Sequence, residues 1–143
     1  MIDKSKDYWY GDCADDIIEY LNEYTENEVS KTVIVKCLAC KSQRFTVKID
    51  DCEEAIEVTC VSCKKKRLLL DSEGVWADCS PEELVCPVCE KNIYNVGVGF
   101  VYRESGEVKW VYIGHRCKNC GVLGSSCDWD ISYSPTDEME RNV

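Results

Sequence analysis

Cys37-Leu38-Ala39-Cys40, Cys60-Val61-Ser62-Cys63, Cys86-Pro87-Val88-Cys89 and Cys117-Lys118-Asn119-Cys120 repeat one spacing four times, and that spacing decides the fold. Each Cys-x-x-Cys puts two sulfurs at the tip of a tight turn, which is half of a tetrahedral metal site. Two facing knuckles complete a four-sulfur site, so the eight cysteines predict two structural Zn2+ ions. Between Cys40 and Cys60 lie 19 residues, within the range for two knuckles on one hairpin; the 27 residues between Cys89 and Cys117 make a longer hairpin of the same kind. The expected ligands are Cys37, Cys40, Cys60 and Cys63 in one site, and Cys86, Cys89, Cys117 and Cys120 in the other.

The segments between the knuckles repeat as well. Phe45-Thr46-Val47-Lys48-Ile49 and Tyr94-Asn95-Val96-Gly97-Val98 each begin five positions after a second knuckle cysteine and alternate with period two, as strands do. A turn follows in each copy, then a returning strand (Ile56-Glu57-Val58 or residues 108–113) that reaches the next knuckle. A third strand with a tryptophan nearby, Trp76 or Trp129, completes the unit. The repeat favours contiguous pairing of knuckles over a cross-braced arrangement, because each hairpin joins its own two. Upstream, residues 12–24 read as an amphipathic helix with Ile17, Ile18, Leu21 and Tyr24 on one stripe. Asp12 is its expected N-cap, and Asp15, Asp16, Glu19 and Glu23 form its wet face.

These knuckles resemble those of the zinc-ribbon and rubredoxin-like superfamily, most closely in Cys86-Pro87-Val88-Cys89 and Cys117-Lys118-Asn119-Cys120-Gly121. Cys40-Lys41 and Cys63-Lys64 depart from the pattern by lacking the glycine that follows. The resemblance covers residues 37–133 and implies a small, mainly β, metal-stapled fold: an N-terminal helix plus two tandem three-stranded zinc ribbons. The boundaries expected are 1–28 for the helical segment, 29–80 and 81–133 for the ribbons, and 134–143 for a polar, disordered tail. It implies a scaffold and not an activity, since relatives serve as nucleic-acid factors, enzyme staples and electron carriers.

Charge narrows the partner. The 143 residues carry a formal net charge of −10, and eight thiolates with two dications would take it to −14. Such a field repels phosphates and steers a basic protein inward. Lys64-Lys65-Lys66-Arg67 is the one basic cluster; its alternatives are phosphate contact and local compensation of a tetrathiolate of charge −2. Closed four-cysteine sites leave no open metal position for substrate, and no acid, base or nucleophile pair stands out. The expected function is therefore non-catalytic: a zinc-binding protein-interaction module that neutralises a basic partner, as an immunity protein does, through Asp15, Asp16 and Glu19. A nucleic-acid-linked ribbon accessory to transcription or translation and an iron-bearing electron carrier are the alternatives. The expected setting is a reducing cytoplasm, without membrane span or signal peptide.

The other candidates are minor. Cys13 reads as a buried small hydrophobe, and Cys52 as a thiol blunted by its acidic turn. Cys79 and Cys127, in similar places after each second knuckle, are candidates for a third thiol site. His115 is a substitute ligand, a group supporting the sulfurs or a polar strand end. The aromatics of the second hairpin exceed what one small core hides and mark a partner patch.

Overall fold

The computed structural model describes residues 2–143. It is mainly β: an antiparallel sheet of eight strands with a helix, α1 (Asp16–Tyr24), at the N-terminal end. The strands are β1 (Lys31–Ile34), β2 (Phe45–Asp50), β3 (Ala55–Cys60), β4 (Lys66–Leu68), β5 (Glu82–Glu83), β6 (Tyr94–Tyr102), β7 (Val108–Cys117) and β8 (Leu123–Asp130). A short helix, α2 (Asp137–Arg141), closes the chain.

The sheet order β4-β3-β2-β6-β7-β8 is a palindrome of the sequence repeat. In β2–β3, Phe45 faces Cys60 and Val47 faces Val58; in β6–β7, Tyr94 faces Cys117 and Val96 faces His115. Thr59 pairs with Lys66 as Arg116 pairs with Leu123. The two halves meet where Phe45 pairs with Tyr94, both almost fully buried, so a pseudo-twofold axis passes between the two aromatic residues that begin the repeats. Aromatic rings suit this point because they bury the most apolar area per residue.

The segments leading into the first knuckle of each half are exchanged across that axis. Ile34 pairs with Gly97 of the second half, and Val35 N–H donates to Val96 carbonyl oxygen at 2.8 Å. Reciprocally, Glu83 pairs with Lys48 of the first half, and Leu84 N–H donates to Val47 carbonyl oxygen at 2.8 Å. One core serves both halves, with Val35, Phe45, Val47, Ile56 and Val58 packed against Tyr94, Val96, Val98 and Ile113.

What breaks the symmetry is α1. Its Ile17 and Leu21, fully buried, lie on the outer face of the second half, over Gly97 and Gly114. A Cβ at either glycine would stand 2.8 or 2.9 Å from Ile17 Cγ2, so the helix reaches this distance only because both side chains are absent. The equivalent positions in the first half are Lys48, exposed, and Glu57, half-buried, which pair with each other. The glycines beside Val98 thus mark the close approach of a helix.

Four expectations are corrected. The helix begins at Asp16, and its expected N-cap Asp12 lies upstream with no capping role. Asp16 is buried instead of wet: its carboxylate accepts the N–H groups of Asp12, at 2.7 Å, and Cys13. The C-terminal segment is folded: Met139 of α2 is buried, Tyr102 Oη donates to Glu140, and Leu70 and Asn142 exchange two hydrogen bonds. Its polar composition hid the one apolar anchor, Met139, that seats it. The third strand of the first half also stops at Leu68, and Trp76 lies in a 3-10 turn beyond it.

Candidate metal centres

Each hairpin delivers its own two knuckles to one place. In the first cluster, Cys37 Sγ lies 3.5 Å from Cys63 Sγ and Cys40 Sγ 3.5 Å from Cys60 Sγ. In the second, Cys86 and Cys120 are 3.6 Å apart and Cys89 and Cys117 3.5 Å. Within each group of four, all sulfurs lie within 4.8 Å of one another. Metal–sulfur bonds of about 2.3 Å at tetrahedral angles put sulfurs ~3.8 Å apart, and a disulfide would need about 2.05 Å. The donor sets therefore fit a four-coordinate metal ion and not a crosslink. The ligand pairing is contiguous in both halves.

The knuckle backbone prepares the sulfurs for metal. Cys37 N–H bonds Ser42 and Lys41 N–H bonds Cys37 carbonyl oxygen; Cys86 with Lys91, and Glu90 with Cys86, repeat the pair of bonds. The second knuckles do the same through Lys65 and Lys64, and through Val122 and Gly121. The turn leaves amide N–H groups pointing at sulfur. Those of Cys40 and Ala39 hold the Cys37 thiol down to about 6, and the side chain of Asn119 foremost holds Cys89 at about 6. These two are poised as the thiolate that metal requires, whereas burial foremost pushes Cys120 up to about 12 and Cys117 upward, so metal must displace a proton there. Closing each turn puts the next residue at positive φ: Lys41, Lys64 and Glu90 at 66°, 67° and 63°, and Gly121 at 86°. Three of the four knuckles thus use the left-handed conformation without glycine, at a cost of about 1–2 kcal/mol each.

His115 is not among either set of clustered ligands. Its Nε2 lies 2.6 Å from Ser126 Oγ, and burial holds its pKa down at about 4. Ser126 is the extra residue at a β-bulge, where Ile113 pairs with Cys127 and Gly114 with Ser125. Gly124 lies beneath the imidazole, where a Cβ would come within 2.8 Å of His115 Cε1. The Nδ1 atom has no hydrogen-bond partner among the described residues, so the Ser126–His115 pair lacks the carboxylate that orients a catalytic imidazole.

Cys79 and Cys127 form no thiol cluster among the described residues. Cys79 Sγ donates to Val75 carbonyl oxygen at 3.3 Å, and Cys127 is a buried residue of β8, opposite Ile113. Cys13, read as buried, is exposed. Cys52 is exposed in its acidic turn, beside Asp50 and Asp51. The second-hairpin aromatics divide: Tyr94, Phe100 and Trp129 are core, while Tyr112 and Trp110 are half-buried on the sheet and bonded to Glu28 and Asp128.

Two features escape a reading of spacing. Arg116, buried, donates to the carbonyl oxygens of Gly11 and Asp12 and to Asn95 Oδ1, at 2.8, 2.9 and 3.0 Å, and so ties the N-terminal segment to the sheet. The other is an acidic convergence. Glu53 and Glu54 of the β2–β3 turn, Asp71 beyond β4 and Asp130 at the end of β8 line one cavity of about 230 Å3, with Asp128 close by. Burial, and then the charges of Asp130, Asp71, Asp128 and Glu53, raise the carboxyl pKa of Glu54.

No protein-family model, curated protein or solved structure matches the chain. No helix among the described residues is long and apolar enough to cross a membrane. The clusters define the chain as a metal-binding module with two candidate four-cysteine sites.

Proposed function

We propose that the protein is a zinc-stapled, non-catalytic interaction module whose acidic surface receives a basic protein partner. The observation that carries this reading is the convergence of Glu53, Glu54, Asp71, Asp128 and Asp130 from distant parts of the chain. Gathering like charges around Glu54 raises its carboxyl pKa, after burial, and costs stability, and a cationic partner relieves that cost. The wet face of α1 serves the partner less well, because Asp16 is turned into the chain. Zinc suits a closed, all-thiolate site whose role is purely structural; the eight cysteines hold it, and it fixes the hairpin ends. A neutraliser of a nuclease-type toxin in the cytoplasm is the concrete version that size and charge support.

Elemental analysis with a visible spectrum tests the staple: two zincs per chain and no colour are expected, and iron with visible absorption would move electron transfer to the front. A panel of basic nucleases then tests the surface. Binding should weaken about tenfold or more in E53K/D130K, as loss of complementary charge predicts. Unchanged binding in that variant would end the reading.

A further inference from the structure

The pseudo-twofold axis relates two cavities whose occupancy differs. One, of about 340 Å3, lies beside the first metal cluster and is lined by Leu38, Phe45, Val58, Lys65, Lys66 and Arg67. The other, of about 290 Å3, is lined by Pro87, Tyr94, His115, Val122, Leu123 and Gly124, which are the same six positions of the second half. In the second half the chain's own N-terminal segment covers the strand that borders the cavity. Tyr10 pairs with Val122, Gly11 N–H donates to Gly121 carbonyl oxygen at 2.8 Å, and Leu123 N–H donates to Trp9 carbonyl oxygen at 2.7 Å. Tyr8 also lines that cavity.

In the first half the matching strand is β4, which ends the sheet and, among the described residues, pairs with β3 alone. Lys65 carbonyl oxygen accepts Cys60 N–H, and Leu69 N–H donates to Ile56, so Lys65, Arg67 and Leu69 face β3. The alternation of an antiparallel ladder then turns the N–H and C=O of Lys66 outward, as those of its equivalent Leu123 are turned toward Trp9. Exposed edge groups of this kind are templates for an added strand. The side chains here are also reversed in character: Lys64, Lys65 and Lys66 are exposed where the second half has Gly121, Val122 and Leu123. Arg67 pairs with Val58 and Lys66 with Thr59, so successive cations alternate between the two faces of the strand, and Lys65, Lys66 and Arg67 all border the cavity. The apolar floor holds no exposed aromatic ring on which a base would stack, and Phe45 is 2 % exposed.

We infer that the β4 edge is a docking site for an extended acidic segment of a partner protein, added as a strand where the second half uses residues 8–11. Its apolar side chains enter the cavity beside Leu38 and its carboxylates meet Lys64, Lys65, Lys66 and Arg67. This surface is separate from the acidic convergence, and neither depends on the other.

The probe is the peptide acetyl-(Glu-Tyr)4-amide, which offers carboxylates to one face and rings to the other in either register. It is titrated into the metal-loaded full chain and followed by amide NMR. Saturable binding with Kd of about 0.1 mM or tighter is expected, with shifts in residues 37–39 and 64–68 and slowed exchange at the Lys66 amide. Acetyl-(Lys-Tyr)4-amide should leave the amides of residues 37–39 and 64–68 unshifted. K65E/K66E should weaken the glutamate peptide about tenfold through lost complementary charge. K66P removes the outward N–H together with one cation and should abolish binding with the metal content unchanged, whereas K66A, which removes the cation alone, should weaken it only about threefold. The inference is overturned by absent binding at about ten times that Kd, by shifts confined to the acidic cavity, or by undiminished binding in K66P. An octauridylate that displaces the peptide from the same amides at lower concentration overturns it in favour of RNA. A concentration-dependent dimer lost in K66P would make a second copy of the chain the occupant and overturn it too.

Discussion

The two halves share a register, a knuckle geometry and an axis, yet they solve the problem of stability differently. The second half has longer strands, a helix over two glycines, a buried arginine and its own N-terminal segment along the β8 edge. The first has short strands, charged residues where the other has glycine, and a bare edge. A small sheet with one core face cannot bury enough apolar area to fold on its own, so the first half leans on its metal cluster and on the second half's core. The second can spend its extra layers on order. Duplicated architecture therefore leaves one copy as frame and frees the other's surface.

Removing metal should break this comparison most. Structural zinc in small domains contributes about 10–16 kcal/mol, as much as or more than the whole stability of a typical domain. C117S should unfold the entire chain, because Cys117 opposes Tyr94 at the axis and follows Arg116 in β7. C60S should melt β2, β3 and β4 and leave the β6–β7–β8 layer with α1 protected. Hydrogen exchange reads the difference directly; equal loss of protection in both variants would show that the halves are one cooperative unit.

Arg116 comes next. Its equivalent across the axis is Thr59, half-buried and paired with Thr46. R116M removes the donor for Gly11 and Asp12 carbonyl oxygens and for Asn95, and buried acceptors left unpaired cost about 1–3 kcal/mol each. A loss of about 3 kcal/mol in urea unfolding is expected, against about 0.5 kcal/mol or less for T59A. Similar values for the two would remove the arginine from the account of asymmetry.

The helix contact is a gentler probe. G114A sets a Cβ 2.9 Å from Ile17 Cγ2 and should cost about 1–3 kcal/mol by overpacking. E57A, at the twin position, should lie within about 0.5 kcal/mol of the parent. Thermal unfolding of the pair decides whether α1 rests on the glycines as tightly as the distance says.

How far this asymmetry is legible in the sequence depends on the kind of information. Spacing of Cys-x-x-Cys and the aromatic five residues later carries local geometry, so the knuckles, hairpins and mainly β character follow from it. The exchange of β1 and β5 across the axis does not, since those segments are separated from their partners by more than thirty residues and carry no turn signal. Arg116 reads as one more surface cation until Gly11 and Asp12 are placed beside it. Asp16 looks wet by helical period, but its carboxylate reaches back to the N–H groups of Asp12 and Cys13 in the segment before the helix. Lys41, Lys64 and Glu90 show that an absent glycine does not forbid a left-handed residue when four sulfurs are gathered by the turn.

The smallest effect concerns Asp50, which stands where the second half has Gly99. Its carboxylate accepts the N–H groups of Glu53, Ser80 and Cys52 at 3.0, 2.8 and 3.0 Å, and those bonds hold its pKa below the usual carboxylate value. A lowered folded-state pKa means that the contribution is fully present above the unfolded-state value and is lost as pH falls through the folded one. D50N keeps the shape and one acceptor but discards the charge. The stability gap between parent and D50N should therefore be constant from neutral pH down to the ordinary carboxylate range and close below it, in urea unfolding measured at stepped pH. A gap that widened on acidification would mean that the neighbouring Asp51 and Glu53, not the three amides, govern this turn.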